Sequence, residues 1–310
     1  MIFPPALQPG GTVLLTVPSS PLSADKPIEA IVAAVEALGF RVRTGAACTA
    51  APMASGYAAA EPRIRANDIN QGFSDPSIDA VWCVRGGETA WHLLPYLDYA
   101  AIAAHPKPFI GFSDVTTLHL AIQQKCGLVT YHGPTAGCAL LWSDDPFSWQ
   151  SLRAAMHAAG DFPIENPPGE PIRSLRPGRA RGVLTGGNLS LVTQTIGTPD
   201  QIDARDKILY LEDVGEEVYA IERMLSQLHR SGVLSSASGL VFGAFTDCPN
   251  SRNPAYGPEE LLRDIFRDWP RPVLYNVRSA HCTPMVTLPL GAPCTIDGEA
   301  ASMTIHIPQK

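Results

Sequence analysis

Ser113 is the residue of this chain best placed to do chemistry. It stands in Phe109-Ile110-Gly111-Phe112-Ser113-Asp114, where an apolar run feeds the hydroxyl and a helical pattern begins directly after it. A serine hydroxyl is a weak nucleophile until a sharp turn exposes it, a base takes its proton and donors meet the developing oxyanion. Gly111 relieves crowding at such a bend, and the Asp114 N–H, at a helix N-terminus, points at incoming negative charge. Gly86-Gly87, following the apolar run Ala80 to Val84, offers further backbone donors from another strand end. Each feature also has a plainer use: Ser113 or Asp114 as a helix N-cap, the glycine pair as a simple turn. The motif is not G-x-S-x-G, because Val115 holds its last position.

Acyl transfer also needs a base oriented by a carboxylate, and eight histidines compete for that post. His119 follows Ser113 on one helix at about 240° round the axis, so it faces away. His132 follows a strand and could line the same pocket. His229 ends a helix, where the dipole favours it. His281, in Arg278-Ser279-Ala280-His281-Cys282-Thr283-Pro284, lies in a loop after the run Val273 to Val277. Glu212 and Asp213, closing the run Ile208 to Leu211, are the candidate orienting acids and equally candidate helix caps. A metal hydrolase finds no support, since there is no H-E-x-x-H or paired His/Asp spacing. Cys282 beside His281 is a poor nucleophile and base pair, because neighbours in a loop rarely meet. A non-catalytic two-domain ligand-binding protein would show the same alternation of elements, but would form no covalent adduct with a serine reagent.

The elements that must hold these groups follow from periodicity. Short apolar runs alternate with helical patterns from Thr12 onward, as in a parallel sheet with crossover helices. Thr12 to Val17, Ala80 to Val84 and Pro108 to Phe112 read as strands, and Arg41 to Arg43 begins another extended piece. Lys26 to Leu38 reads as a helix, with Ile28, Ile31, Val32, Val35 and Leu38 on one face and Gly39 as its stop. Further helices are expected over Glu61 to Phe73, Thr89 to Leu97 and Val115 to Lys125. Prolines gather in Ile164-Glu165-Asn166-Pro167-Pro168-Gly169-Glu170-Pro171, which marks a connection. The division expected is residues 1–145 as an α/β domain carrying the serine, 146–178 as a Pro-rich connection, and 179–310 as a smaller β-rich domain. In the latter, Lys207 to Leu211 and Gly239 to Phe245 read as strands, Val218 to His229 and Glu259 to Trp269 as helices. Ala292 to Ile307 reads as a hairpin turning at Asp297-Gly298.

Composition narrows the function classes. The 310 residues, 45% apolar and 17% charged, suffice for hydrophobic cores without covalent staples. A net charge of -7 and the lack of any Lys/Arg cluster exclude the electrostatic footprint of a nucleic-acid or anionic-membrane binder. Seven scattered cysteines without a C-x-x-C pair read as reduced thiols, which suits the cytoplasm. Met1 to Gly10 lacks secretory features, and no stretch approaches the roughly 20 apolar residues of a spanning helix.

Six blocks in order and register, Arg85-Gly86-Gly87, Ile110 to Asp114, Gly186-Gly187-Asn188-Leu189, Leu211-Glu212-Asp213, Ile221 to Leu225 and Leu288-Pro289-Leu290-Gly291, resemble the LD-carboxypeptidase family of serine peptidases across nearly the whole chain. The resemblance implies a triad of Ser113 as nucleophile, His281 as general base and Glu212 as its orienting partner. It implies an oxyanion hole from backbone amides at Asp114 and Gly86-Gly87, with the serine on the N-terminal domain and the other two residues on the C-terminal one. The activity implied is release of the terminal D-alanine from a murein tetrapeptide, across an L,D bond, during cytoplasmic wall recycling. No metal or other cofactor is implied, and the enzyme would be a homodimer. Arg85 and Glu88 are the candidate substrate contacts. A family relative instead hydrolyses aminoacyl-nucleotide antibiotics of the microcin C type for self-immunity, a branch for which Trp142 and Trp149 are candidate stacking residues. Two positions depart from the family: Glu88-Thr89 replaces an aromatic residue and a glycine after the glycine turn, and Ala280 replaces a glycine before the histidine.

Overall fold

The computed structural model describes residues 1–141 and 143–309; Trp142, a candidate stacking residue, lies outside them. The chain forms two units, Met1–His157 and Ala158–Lys310.

In the first unit the strands β1 (Thr12–Thr16), β2 (Arg41–Thr44), β3 (Ala80–Cys83), β4 (Phe109–Gly111) and β5 (Thr130–His132) run in the order β5-β4-β3-β1-β2. All are parallel, with Val13 opposite both Val42 and Ala80, and Ile110 opposite both Trp82 and Tyr131. Strands β1, β3, β4 and β5 are buried along their whole length, as strands covered on two faces must be. The crossovers are α1 (Ile28–Glu36), α2 (Pro62–Ser74), α3 (Tyr99–Ala104) and α4 (Thr116–Cys126), and α5 (Pro146–His157) closes the unit. Proline at the first turn of α2 costs no hydrogen bond there, and Gly127 ends α4 in the left-handed region at φ 65°.

One face of the sheet packs under α2, α3 and α4, where Ile69 and Phe73 meet Val81, Phe109, Leu118 and Ile122. The Phe73 and Phe109 rings stack at 6.3 Å. On the opposite face Trp82 lies parallel to Trp149 of α5 at 6.4 Å, and its indole N–H donates to the Pro134 carbonyl at 2.9 Å. Trp149, the second candidate stacking residue, is thus a packing group of this face. The segment Thr89 to Leu97 differs from expectation: Ala90–Tyr96 is a 3₁₀ helix rather than an α-helix. Pro95 has no N–H to continue an α-helical ladder, and the Ala90 N–H is taken by Asp114.

The second unit holds β6 (Gly160–Pro163), β7 (Arg173–Arg176), β8 (Arg179–Asn188), α6 (Leu189–Gln194), β9 (Ile208–Val214), α7 (Val218–Arg230), α8 (Val233–Ser236), β10 (Gly239–Thr246), α9 (Pro258–Ile265), β11 (Val273–Tyr275), β12 (Leu288–Leu290), β13 (Pro293–Asp297) and β14 (Ser302–Ile307). Its mixed sheet has the order β6-β14-β13-β8-β9-β10-β11-β7. Strand β8, which periodicity did not reveal, joins its two halves. Arg179 to Val183 pair antiparallel with β13, and Leu184 to Asn188 pair parallel with β9. Gly186 allows this switch: at φ 120°, a Cβ there would stand 1.9 Å from the Tyr210 carbonyl. The terminal hairpin forms as expected, with Asp297 opposite Ser302. Among the described residues no helix is long and apolar enough to cross a membrane.

The stacked Phe73 ring makes the first unit sensitive to truncation. Phe73→Ala should lower the stability of this unit by about 3–5 kcal/mol, read from denaturant unfolding monitored by circular dichroism; a loss below about 1 kcal/mol would contradict the packing described.

Candidate active site

Ser113 occupies the turn that sequence assigns to it, and its backbone is strained. Strand β4 ends at Gly111, Phe112 is extended, and Ser113 adopts φ 67°, a region that side-chain-bearing residues rarely enter. A 3₁₀ turn over Ser113–Val115 then leads into α4. Gly111 makes the bend possible, since a Cβ there would sit 3.0 Å from both Cys83 Cβ and Val115 Cγ1.

The structure brings the glycine pair to this turn. A Cβ on Gly86 would lie 2.7 Å from Ser113 Cβ, 2.9 Å from its Oγ and 3.2 Å from the Asp114 nitrogen, so only glycine lets this backbone rest against the serine. Gly87, at φ 146°, is equally confined: a Cβ there would stand 2.1 Å from Ser20 Oγ.

Asp114 does not cap α4 with its side chain. Its carboxylate is fully buried and accepts hydrogen bonds from Ser19 Oγ and from the Ala90 N–H at 2.7 Å. Ser19 Oγ in turn accepts from the Thr89 N–H at 3.0 Å. Burial raises the Asp114 pKa, while the hydrogen bonds from Ser19, Ala90 and Thr89 oppose the rise. Arg65 of α2 is also fully buried and donates to the carbonyls of Ala60 at 2.8 Å, Pro18 at 2.7 Å and Thr89 at 3.2 Å, and to Thr89 Oγ1 at 3.0 Å. Burial lowers its pKa, and the charge of Asp114 works against that loss. Sequence reasoning missed Ser19 and Arg65: α2 reads as a polar helix, and nothing in its pattern marks an inward-facing guanidinium.

In the second unit Glu212 lies near the end of β9, wholly buried, and its Oε2 is 2.8 Å from His281 Nδ1. The carboxylate acceptor places the proton on Nδ1, which leaves Nε2 as the basic nitrogen of the neutral ring. Burial raises the Glu212 pKa; His281 and Asn188 counteract this, and Asp213 adds to it. The histidine loop is pinned from below, because the Tyr210 hydroxyl donates to the Ser279 carbonyl at 3.0 Å. Gly243 on β10 leaves room for that tyrosine: a Cβ there would be 2.3 Å from its hydroxyl. Ala280, directly before the histidine, sits at φ 73°.

Geometry separates the alternatives left by sequence. Asp213 is engaged with Asn188 Nδ2 at 2.8 Å, Ser190 Oγ at 2.7 Å and the Ser190 N–H at 3.0 Å, so it ties β9 to α6 while Glu212 meets the histidine. His119 is buried, with Nε2 2.8 Å from the Gly111 carbonyl and Nδ1 2.8 Å from Thr130 Oγ1; burial brings its pKa down to about 4. His132 is buried on β5, its ring edge-on to Phe112 at 6.5 Å and to His119 at 5.9 Å. His229 packs edge-on to Trp269 at 5.8 Å. Arg85 donates to the Pro21 carbonyl at 2.7 Å, and Glu88 accepts from Ser20 Oγ. Cys282 is buried beside His281 and forms no disulfide.

Comparison with known proteins places this geometry. Residues 13–133 match the LD-carboxypeptidase N-terminal domain and residues 181–296 the LD-carboxypeptidase C-terminal domain. The chain is 36% identical over 296 residues to a probable murein peptide carboxypeptidase of Bacillus subtilis, covering 95% of this chain and 91% of that one. It is 32% identical over 293 residues to the murein tetrapeptide carboxypeptidase of Pseudomonas aeruginosa, covering 93% and 94%. Among solved structures, the microcin C7 self-immunity protein in complex with aspartyl sulfamoyl adenosine matches at a TM-score of 0.88 and 26% identity, covering 99% of this chain and 98% of that one. The strained serine turn and the buried glutamate–histidine pair thus belong to a chain that matches both domains of one family: it is a member of the LD-carboxypeptidase family of peptidases.

Proposed function

We propose that this protein is a serine LD-carboxypeptidase that releases the terminal D-alanine from murein tetrapeptides, with Ser113 as nucleophile, His281 as general base and Glu212 as the acid that orients it. The observation that carries the reading is the left-handed backbone of Ser113 at a strand end, with Gly86 packed against its side chain. A serine used only for packing or capping needs neither. The names of the B. subtilis and P. aeruginosa relatives supply the substrate.

Ser113 Oγ attacks the carbonyl carbon of the L,D bond as its proton passes to His281 Nε2. Negative charge gathers on the carbonyl oxygen, and the backbone N–H groups of Asp114 and the Gly86-Gly87 turn are the proposed donors to it. The bond to nitrogen breaks as the histidine returns the proton to the departing D-alanine amine. Water, activated by the same imidazole, then adds to the acyl-serine and releases the shortened peptide. Glu212 keeps Nδ1 protonated throughout and stabilises the imidazolium.

We also place the enzyme in the cytoplasm, which seven cysteines, none of them in a disulfide, support. The family resemblance adds a homodimer, and sedimentation velocity reads that directly.

Ser113→Ala should lower D-alanine release from tetrapeptide by on the order of 10⁴-fold or more, as measured by chromatography of the products; near-normal release would refute the assignment. Glu212→Gln should cost about 10²- to 10⁴-fold in kcat/KM while behaving differently in stability. Because burial raises the folded-state pKa of Glu212, the wild type loses stability relative to the glutamine variant as pH climbs through the ordinary carboxylate range. Unfolding midpoints measured from pH 4 to 7 should therefore shift in favour of Glu212→Gln, and parallel curves would contradict the buried charge.

A further inference from the structure

The turn that follows β3 divides its backbone N–H groups between two uses. Those of Gly86 and Gly87 donate to no acceptor among the described residues. Those of Thr89 and Ala90 are consumed: the first donates to Ser19 Oγ at 3.0 Å, the second to Asp114 Oδ2 at 2.7 Å. Ser19 donates its own hydroxyl proton to that same carboxylate oxygen, so one atom of Asp114 draws in both. The other end of the turn is tied as well, where the Ser20 N–H donates to the Gly86 carbonyl at 3.3 Å. Ser19 is itself anchored, its carbonyl accepting from the Ala59 N–H at 2.9 Å.

A turn built on two glycines has no side chain of its own to hold its direction, which must be imposed by what binds its flanks. Ser19, Thr89 and Asp114 are all buried, so water offers no substitute for a lost partner. The free N–H groups also stand beside the nucleophile: a Cβ on Gly86 would lie 2.9 Å from Ser113 Oγ and 3.2 Å from the Asp114 nitrogen. The backbone of Asp114 therefore offers one donor there, and its side chain grips the segment that carries the others.

We propose that the Asp114 carboxylate, with Ser19 as its relay, is a positioning group for the reaction: it aims the Gly86 and Gly87 N–H groups at the carbonyl oxygen that turns negative when Ser113 attacks. The inference rests on Ser113 as nucleophile and deepens that reading by naming side chains that act without touching substrate. Donors that strengthen only as charge develops show their loss in kcat rather than in KM.

Three variants of the whole chain test it: Asp114→Ala, Ser19→Ala, and Asp114→Asn, whose amide oxygen can still accept from both donors. With murein tetrapeptide, Asp114→Ala should lose about 10²-fold or more in kcat and Ser19→Ala about 10-fold. KM, and the Kd of the product tripeptide read by calorimetry, should stay within about 3-fold of the wild type. Asp114→Asn should recover kcat to within about 10-fold of the wild type. Labelling of Ser113 by a fluorophosphonate needs no peptide: the serine oxygen bonds to phosphorus, fluoride leaves, and the phosphoryl oxygen takes up the same donors. Followed by intact-protein mass spectrometry, it should slow in step with kcat. Unchanged kcat in a folded Asp114→Ala protein, or a loss confined to KM and tripeptide affinity, would overturn the positioning role and leave the carboxypeptidase. If Asp114→Ala does not fold, Ser19→Ala decides by the same measures. Labelling of wild-type Ser113 without D-alanine release would overturn the carboxypeptidase reading alone; labelling slowed about 10-fold or more in Asp114→Ala then upholds the positioning role, and equal rates refute it. A wild type that the reagent leaves unlabelled at Ser113 would overturn both.

Discussion

The buried carboxylate of Asp114 is the constraint around which the serine turn is built. Placing a charge where water cannot reach costs several kcal/mol unless donors replace the water. Ser19 Oγ and the Ala90 N–H do so here, and they come from two other strand ends of the same sheet. Meeting the needs of one carboxylate thus fixes the loops after β1 and β3 against the loop after β4. Arg65 reinforces the arrangement from α2 by gripping the carbonyls of Pro18, Ala60 and Thr89. Once these loops are fixed, Gly86 has nowhere to rest except on Ser113, and the absence of a side chain there becomes obligatory.

The second unit solves a similar problem with neighbouring carboxylates. Residues 212 and 213 point to opposite faces of β9, as alternation along a strand requires. Asp213 finds neutral donors at Asn188 and Ser190 and becomes a clasp between strand and helix. Glu212 meets the imidazole of His281, and its burial makes the ionised form dependent on that partner and on Asn188. The same residue type at either position would not make the same contacts; the supply of fixed donors decides which acid holds a strand to a helix and which meets the histidine.

How much of this is legible in sequence depends on whether a residue's role is local. Strand β1 and helices α1 and α7 follow from runs and periodicity, because their apolar residues all answer to one nearby face. Ser113 and Gly86-Gly87 are recognisable because turn chemistry is written in adjacent residues. Strand β8 was hidden, since Gly182 answers to the backbone of Asp206 and Lys207 and Gly186 to that of Tyr210, and both read as breakers in isolation. The choice between Glu212 and Asp213 was equally out of reach of spacing alone: it depends on what the loop at 276–287 brings to β9. Asp114 shows the sharpest contrast, for its backbone position was readable while its side chain, read as a cap, serves residues 24 and 95 positions away.

Backbone strain appears both at the serine turn and in the histidine loop, and its two forms differ in what sustains them. Ser113 at φ 67° is compressed between the end of β4 and the start of α4, with Gly86 closing the space above it. Ala280 at φ 73° is held by the loop's own bonds, Ser279 to Val277 at 2.8 Å and Cys282 to Ala280 at 2.7 Å, and by the Tyr210 hydroxyl on Ser279. Left-handed backbone costs an alanine about 1–2 kcal/mol relative to the right-handed form, and the family's glycine at this position would avoid that cost. The turn persists here because the tyrosine below and the Glu212–His281 hydrogen bond beyond it over-determine the loop. A histidine carried on a relaxed loop could choose among rotamers; one carried on a loop fixed at both flanks has its ring already aimed, so that the single bond to Glu212 needs only to set the tautomer.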